Sequence, residues 1–495
     1  MSFDAPLLIT FLAYLALVLY LGIKAYRRTE DLGDYILGGR KLGSVVTALS
    51  VGASDMSGWL LLGLPGAIYL AGISELWIGV GLLIGAWFNW TYVARPLRVY
   101  SVKANNSLTL PDYFENRFAD KTRLLRLISA LVILVFFTFY TASGLVGGAI
   151  LFANSFGMDY QVALYTGAFI IVAYTFIGGF LAVSWTDAIQ ASLMLLALLL
   201  APLVVVLDAG GPAAMLERMQ LANPDSTDLF NNMTVLGLIS LLAWGLGYMG
   251  QPHILARFMA AESVDKLFSA RRIAMSWMVV VLIGSVTTGM AGIAYFAEDP
   301  LANPETVFIE LSQSLFNPWI AGVITAAILS AIMSTIDSQL LVSSSVISED
   351  FYRVFVRPKA SDKELLLVSR SAVIAIAVLA LLIARDPQSR VLDLVSYAWA
   401  GFGAAFGPVI LFSLLWRPMT AAAALTGMVS GAITVVIWSN LSGGLFDLYE
   451  IVPGFLLASL AIVGVSLYQP ARNPETLALF DATRALVNAP RSGDA

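Results

Sequence analysis

The feature that most constrains this chain is a series of apolar runs, each about as long as a bilayer core is thick. A helix needs about 20 mainly apolar residues to cross that core. Lipid offers no hydrogen-bond partner to open backbone groups, and these runs do not alternate in hydropathy as barrel strands do, so each is predicted to be a helix. We predict thirteen such segments, near residues 6–26, 44–70, 75–97, 125–153, 159–180, 186–207, 233–256, 272–297, 318–347, 366–384, 391–416, 419–438 and 450–469.

The composition excludes an ordinary soluble protein and several kinds of redox protein. Of the 495 residues, 12% are charged and 59% hydrophobic, whereas a soluble domain has about 25% charged and about 45–50% apolar residues. With no cysteine and one histidine, the chain cannot build an iron–sulfur cluster, a bis-histidine haem or a histidine-cluster metal site. It has no P-loop motif for ATP and no basic block typical of nucleic-acid binding.

The positions of the basic residues predict the topology. If the N-terminus lies outside, 25 of the 28 lysines and arginines fall in inside loops or the C-terminal tail, and only Arg218, Arg385 and Arg390 fall outside. Cytoplasmic loops of membrane proteins carry such an excess of positive charge. The distribution therefore predicts an odd number of spans, an outside N-terminus and a cytoplasmic C-terminus.

Two of the apolar runs are interrupted near their middle by glycine, serine and proline. The interruptions are GASDMSG at residues 52–58 and WGLGYMGQP at residues 244–252, in the second and seventh segments. Transporters built from inverted five-helix repeats begin each repeat with a broken helix, and the binding site forms between the two breaks. The alternative is that these small residues only let membrane helices pack closely.

A carboxylate in the first interruption needs a partner. Asp55 lies near the middle of its segment, where a charge costs at least about 2.5 kcal/mol. A nearby cation would supply the partner. The alternative is a structural hydrogen bond with unwound backbone.

The ninth segment offers oxygen ligands for such a cation. Ser334 and Thr335 are adjacent, and the carbonyl of Ala331 lies one turn before them. Together with carbonyls freed at the first interruption they would form a shell of about five neutral hard oxygens, which suits a monovalent hard cation. We therefore predict a Na⁺ site. The alternative is that these hydroxyls only bond back to carbonyls of their own helix.

Four stretches of the chain resemble the sodium:solute symporter family. They are ALSVGASDMSGWLLLGLPGAIY, GGFLAVSWTDAIQA, WGLGYMGQPHILARFMA and AAILSAIMSTIDSQLLVSSS. The resemblance covers nearly the whole chain and implies an all-α LeuT-type fold with inverted five-helix repeats. The implied single transmembrane domain has a first helix and loop (1–43), a first repeat (44–208), a second repeat (233–416), two extra helices (417–469) and a cytoplasmic tail (470–495).

The same resemblance implies an activity. It implies uptake of L-proline coupled to Na⁺ across the bacterial cytoplasmic (inner) membrane, with Na⁺ as the coupling ion and no enzymatic reaction. The expected partners are L-proline, Na⁺ and membrane lipid, without nucleic acid or an obligate protein partner.

The resemblance also assigns roles to residues. The implied Na⁺ ligands are the carbonyl oxygens of Ala53, Met56 and Ala331 and the hydroxyls of Ser334 and Thr335, with electrostatic support from Asp55. The implied proline-binding residues are Ser57, Gly58, Trp59, Tyr140, Trp244, Tyr248 and Pro252. The implied coupling and gating residues are Arg40 and Asp187. Asp337, beside the Ser334–Thr335 pair, receives no role.

The chemistry of proline is compatible with these residues. Its carboxylate requires free N–H donors, which the broken helix near Ser57 and Gly58 supplies, and its ring requires apolar walls. For any single aromatic residue the alternative is core packing or a position at the membrane interface. His253 is expected to be a structural hydrogen-bonding group rather than a proton relay.

Other functions stay open at this point. A Na⁺ symporter for a different amino acid, pantothenate or a sugar would share the same ion site. A channel would not accumulate solute, and a membrane sensor would need an output domain longer than the predicted tail. An intramembrane enzyme would lack the usual catalytic groups.

Overall fold

The computed structural model describes residues 5–26, 32–177, 179–231, 233–469 and 473–488. The predicted outside N-terminus and two of the tail arginines, Arg472 and Arg491, lie outside these ranges. Within them the chain is almost entirely helical, and the one β contact is an isolated parallel bridge between Leu42 and Ala261. The helices are α1 (Ala5–Tyr26), α2 (Leu32–Leu37), α3 (Ser44–Asp55), α4 (Leu64–Ala71), α5 (Leu76–Phe88), α6 (Ala94–Lys103), α7 (Leu110–Phe118), α8 (Leu124–Phe156), α9 (Tyr160–Ile177), α10 (Phe180–Asp208), α11 (Pro212–Ala222), α12 (Val235–Leu242), α13 (Pro252–Ala260), α14 (Val264–Tyr295), α15 (Val307–Leu315), α16 (Pro318–Ser345), α17 (Asp362–Ile383), α18 (Val391–Leu415), α19 (Ala421–Trp438), α20 (Ile451–Tyr468) and α21 (Pro474–Asn488).

The described helices make this a multi-pass membrane protein. Ten are long and apolar enough to cross a bilayer, or up to twelve if each of two sharply bent pairs counts as one span. A shorter apolar helix covers Tyr160–Ala173. All thirteen predicted segments contain helix, and the number of actual spans stays a prediction.

The first bent pair confirms the predicted break in the second segment. Ser44–Asp55 and Trp59–Ala71 meet at 61°. Between them Met56 leaves helical geometry with φ −79° and ψ 71°. The amide of Ser57 then donates to the carbonyl of Asp55 at 2.9 Å in a tight local turn. The break therefore begins directly after the buried carboxylate.

The second bent pair confirms the break in the seventh segment. Val235–Gly250 and Pro252–Ala260 meet at 45°. The last part of the first piece, Ala243–Gly250, is a 3₁₀-helix, and Gln251 is extended. Pro252 then opens α13, a position where its missing N–H has no helical partner to lose. A Cβ on Gly247 would lie 1.9 Å from the indole nitrogen of Trp399, so this segment requires glycine for close packing.

Helix α16 runs through the centre of the molecule. Most of its residues from 321 to 345 are buried, and it packs against α1, α3, α8 and α10. A helix that is apolar around its whole circumference is expected in such a position. The fold therefore places Ser334 and Thr335 in the interior, facing the first break.

At the end of the molecule that is predicted to face outside, the loop that contains Glu305 contacts the start of α18. The Glu305 carboxylate accepts from the backbone amides of Val391 and Leu392 at 3.0 and 3.1 Å, which caps the N-terminus of α18. Burial raises the pKa of Glu305, and the two amide donors oppose that shift. A cavity of about 160 Å³ beside it is lined by residues that include Gly63 and Arg390.

Candidate functional site

The structure brings four of the five predicted ion ligands together. The carbonyl of Ala53, in the last turn of α3, accepts from the hydroxyl of Ser334 at 2.7 Å and from that of Thr335 at 3.3 Å. The Ser334 hydroxyl oxygen also lies 3.1 Å from the carbonyl oxygen of Ala331. All four residues are buried. Met56, the fifth, is buried in the break itself.

This oxygen cluster has the chemistry of a site for a monovalent cation. Its members are two carbonyls and two hydroxyls, which are neutral hard ligands. No group of three or more His, Cys, Asp or Glu side chains that could hold a metal occurs in the described ranges. The hydroxyl of Thr335 donates across to α3, rather than only back to its own helix, so purely local bonding does not explain it.

Asp55 connects the two broken helices. One oxygen of its carboxylate accepts from the Tyr248 hydroxyl at 2.5 Å. The other, Oδ1, is buried and has no hydrogen-bond partner among the described residues. The sequence did not predict the Tyr248 bond, because Tyr248 was expected only as a wall of the substrate site. A buried carboxylate oxygen without a partner would be stabilised by a nearby cation, and Asp55 follows Ala53 by two residues in the chain.

Other predicted substrate residues gather around the main chain of Asp55. Its carbonyl accepts from the indole of Trp59 at 3.1 Å and from the Tyr140 hydroxyl at 3.4 Å. The amide of Trp59 lies 3.4 Å from the Ser57 hydroxyl. A Cβ on Gly58 would lie 3.3 Å from Ile332, so this turn packs directly against α16.

The structure places Trp244 and Pro252 differently from the other predicted substrate residues. The Trp244 ring stacks on Tyr449 at 5.5 Å, and its carbonyl accepts from the Trp399 indole at 2.7 Å. Pro252 lines a cavity of about 20 Å³ together with Met259 and residues of other helices. These contacts do not involve Asp55, and a substrate-binding role for the two residues stays a prediction.

Arg40 holds together the end of the molecule that is predicted to be cytoplasmic. Its guanidinium donates to the Met259 carbonyl at 2.5 Å, to the Ser107 carbonyl at 2.7 Å and to the Asn106 side chain at 3.1 Å. It thus joins the loop before α3 to the end of α13 and to the α6–α7 loop. Burial and, after it, the neighbouring Arg98 lower the pKa of Arg40 to about 10.

Asp187 forms a buried ion pair that the sequence did not reveal. Its Oδ2 lies 2.8 Å from the guanidinium of Arg257 and accepts from the Ser50 hydroxyl at 2.6 Å. Arg257 also donates to the Ser338 hydroxyl at 2.5 Å. The prediction that Arg257 lies in an inside loop was wrong, because Arg257 belongs to α13 and only 1% of its side chain is exposed. The sequence signal for a buried Arg257 was its position in an apolar stretch directly after the second break.

Asp337 faces away from the oxygen cluster. Its Oδ1 accepts from the Thr175 hydroxyl of α9, and its Oδ2 has no partner within the described part of the chain. The side chain is fully buried. These contacts give it no role in the candidate site.

Comparison with known proteins identifies the family. The family model described as the sodium:solute symporter family matches residues 35–431. Among similar proteins are the sodium/proline symporters of Salmonella typhimurium, 56% identical, and Escherichia coli, 55% identical, each over 94% of both chains. The high-affinity proline transporter PutP of Bacillus subtilis is 53% identical over 92% of this chain and 96% of its own.

A solved structure supports the fold independently. A substrate-bound, outward-open Na⁺-coupled sialic acid symporter matches with a TM-score of 0.80 over 95% of this chain and 100% of that one, at 19% identity. At this identity the likeness shows the LeuT-type architecture alone. Given the match of the family model to most of its length, the chain belongs to the sodium:solute symporter family.

Proposed function

We propose that this protein takes up L-proline together with Na⁺ by alternating access. The observation that carries the proposal is the contact of the Ala53 carbonyl, at the first break, with the hydroxyls of Ser334 and Thr335. The relatives at 53–56% identity, which are named proline transporters, support the choice of solute. The names of the Salmonella typhimurium and Escherichia coli relatives, sodium/proline symporters, also support Na⁺ as the coupling ion.

The proposal includes the residue roles and the membrane arrangement. Na⁺ would be held by the main-chain carbonyls of Ala53, Met56 and Ala331 and by the hydroxyls of Ser334 and Thr335. Residues 44–208 and 233–416 would form the inverted repeats. The chain would lie in the bacterial inner membrane with its N-terminus outside and its C-terminus in the cytoplasm, in agreement with the excess of basic residues in the inside loops.

The geometry suggests how ion and solute are coupled. Na⁺ between Ala53 and the hydroxyls of α16 ties α3 to α16, which favours the outward-open, substrate-ready state. Na⁺ binding would also fix the turn at Ser57 and Gly58. There the amide of Gly58 would receive the proline carboxylate, since the amide of Ser57 already donates to the carbonyl of Asp55. Closure over the solute, followed by loosening of the ion site toward the cytoplasm, releases both.

One Na⁺ supplies enough energy for nutrient uptake. A membrane potential of about 100 mV contributes roughly 2.3 kcal/mol per charge. A tenfold Na⁺ gradient adds about 1.4 kcal/mol. The sum supports roughly 500-fold accumulation of a solute with no net charge, so the proposal needs no second ion.

The first test removes an ion ligand. In liposomes with an imposed Na⁺ gradient, the native chain should accumulate labelled proline. Thr335→Ala should raise the Na⁺ concentration needed for half-maximal uptake at least about tenfold, because the ion site loses one of its few neutral ligands. Ser344→Ala is the matched control, since Ser344 is buried on the same helix and bonds back to Leu341 at 3.0 Å. Equal effects of the two substitutions would contradict the assigned ion site.

The second test removes a substrate contact. Tyr140→Ala should raise the KM for proline at least about tenfold while leaving the Na⁺ dependence of the remaining uptake nearly unchanged, because an aromatic wall and a hydroxyl disappear together. Phe139→Ala is the control, because the ring of Phe139 contacts Tyr397 instead.

Competition of labelled proline uptake by other amino acids, pantothenate and sugars tests the alternative solutes. Equilibration of proline across the membrane without a need for Na⁺ would indicate a channel. Absence of any proline transport would indicate a sensor.

A further inference from the structure

His253 has an environment that a structural role does not explain. It is the single histidine of the chain and is fully buried. Neither ring nitrogen has a hydrogen-bond partner among the described residues. The structural hydrogen bond that we expected for the His253 side chain is therefore absent among the described residues. Any protonation state of an imidazole presents at least one N–H donor, and leaving such a donor unmatched in a dry interior costs about 1–3 kcal/mol.

The ring lies beside the candidate substrate site. It meets the Tyr140 ring edge to face at 5.9 Å and the Phe137 ring at 5.6 Å. The Tyr140 hydroxyl in turn lies 3.4 Å from the carbonyl of Asp55. The imidazole therefore belongs to the same group of side chains that surrounds the first break.

The backbone of His253 is fixed and is positioned to favour an anion. His253 is the second residue of α13, which follows the second break and has no side-chain cap at its N-terminus. Free amides in the first turn of a helix attract negative charge. The carbonyl of His253 accepts from Arg257 at 2.8 Å, so the buried ion pair of Arg257 with Asp187 holds this turn in place.

We propose that His253 is a substrate-binding residue whose imidazole N–H donates a hydrogen bond to the carboxylate of the transported solute. The inference rests on the proposed function and deepens it. The carboxylate would lie between the two breaks, and His253 at the start of α13 would add a side-chain donor to the main-chain donor proposed at Gly58. A carboxylate as acceptor makes this a charge-assisted bond, which is stronger than a neutral one.

The single histidine makes a direct distance measurement feasible. The native chain is prepared with ¹⁵N in its histidine ring, reconstituted in membranes with saturating Na⁺, and loaded with L-proline carrying ¹³C in the carboxylate. Magic-angle-spinning NMR should then show dipolar coupling for a nitrogen–carbon separation of about 4 Å, as a hydrogen bond requires. Absence of the coupling, with the bound proline signal present, would overturn the proposal.

Variants provide the second measurement. His253→Phe keeps a ring without donors and should raise the KM for proline at least about tenfold, as loss of a hydrogen bond to a charged group predicts. His253→Asn keeps a donor and should stay within about threefold. Phe137→Leu, which alters the other neighbour of the imidazole, is the packing control. A His253→Phe protein that folds and keeps the native KM would refute the inference.

The two proposals fail in different ways. If the native chain shows no Na⁺-driven proline uptake, the proposed function is wrong. If uptake is intact and the distance measurement shows no contact, only the role of His253 is wrong. The distance measurement uses the unaltered protein, so it decides the question even if His253→Phe does not fold.

Discussion

Asp55→Asn is expected to abolish Na⁺-driven proline uptake at ordinary Na⁺ concentrations. The carboxylate lies at the end of α3, one oxygen bonded to Tyr248 and the other without a partner in the described ranges. If the bound Na⁺ lies roughly 5 Å from this carboxylate, their attraction at an effective dielectric constant of about 20 is roughly 3 kcal/mol. Its loss corresponds to a Na⁺ affinity roughly 100-fold weaker.

The measurement for Asp55 is the Na⁺ dependence of proline binding in detergent, which separates affinity from transport. Tyr248→Phe is the informative companion, since it removes the 2.5 Å hydrogen bond and keeps the charge. We expect it to weaken Na⁺ binding about tenfold or less. An Asp55→Asn protein with native Na⁺ dependence would show that the carboxylate has only a structural role.

Arg257→Met is expected to produce the largest loss of stability among single substitutions at the candidate site. Arg257 joins four helices through Ser50, Asp187, Ser338 and the carbonyl of His253. Its removal leaves the Asp187 carboxylate buried without its cation. Removing one partner of a buried ion pair lowers the free energy of unfolding by roughly 3–5 kcal/mol. The midpoint of thermal unfolding in detergent should fall accordingly.

Two comparisons test the cause of this loss. The double substitution Arg257→Met with Asp187→Leu should recover much of the stability, because no uncompensated charge remains. Arg353→Met breaks a pair with Glu349 at 3.0 Å in which the arginine is 41% exposed, and such surface pairs contribute about 0–1 kcal/mol. Similar losses for Arg257→Met and Arg353→Met would contradict the buried-pair explanation.

Much of the candidate ion site could be predicted from sequence because its parts are local. Ser334 and Thr335 are neighbours, and Ala331 precedes them by about one turn, so helical spacing alone gathers three of the oxygens. The first break was predicted from a run of small residues around Asp55, because glycine and serine weaken a helix locally. The contact of these hydroxyls with a carbonyl of the first break depends on packing between α3 and α16. Ligand chemistry predicted that such a carbonyl would take part, and the family resemblance indicated that it belongs to Ala53.

The substrate site was less predictable because side-chain direction depends on the packed neighbours. Trp244 and Tyr248 lie four residues apart, yet Trp244 stacks on Tyr449 while Tyr248 reaches Asp55. In the 3₁₀ segment Ala243–Gly250, a spacing of four residues does not keep two side chains on one face. Helical spacing along the sequence therefore does not tell which of the two rings faces the solute, and the binding role of Trp244 stays a prediction.

By itself the sequence determined that the chain spans a membrane many times. It also determined where two of its helices break and which helix carries the paired hydroxyls. These features depend on hydropathy and on the backbone preferences of glycine and proline, which act over a few neighbouring residues. The tertiary structure alone decided that Tyr248 bonds Asp55 and that Arg257 neutralises Asp187, partners 193 and 70 residues apart. Such pairs form because a buried charge must find a partner within hydrogen-bond reach, and the packing of separate helices, not the local sequence, brings that partner there.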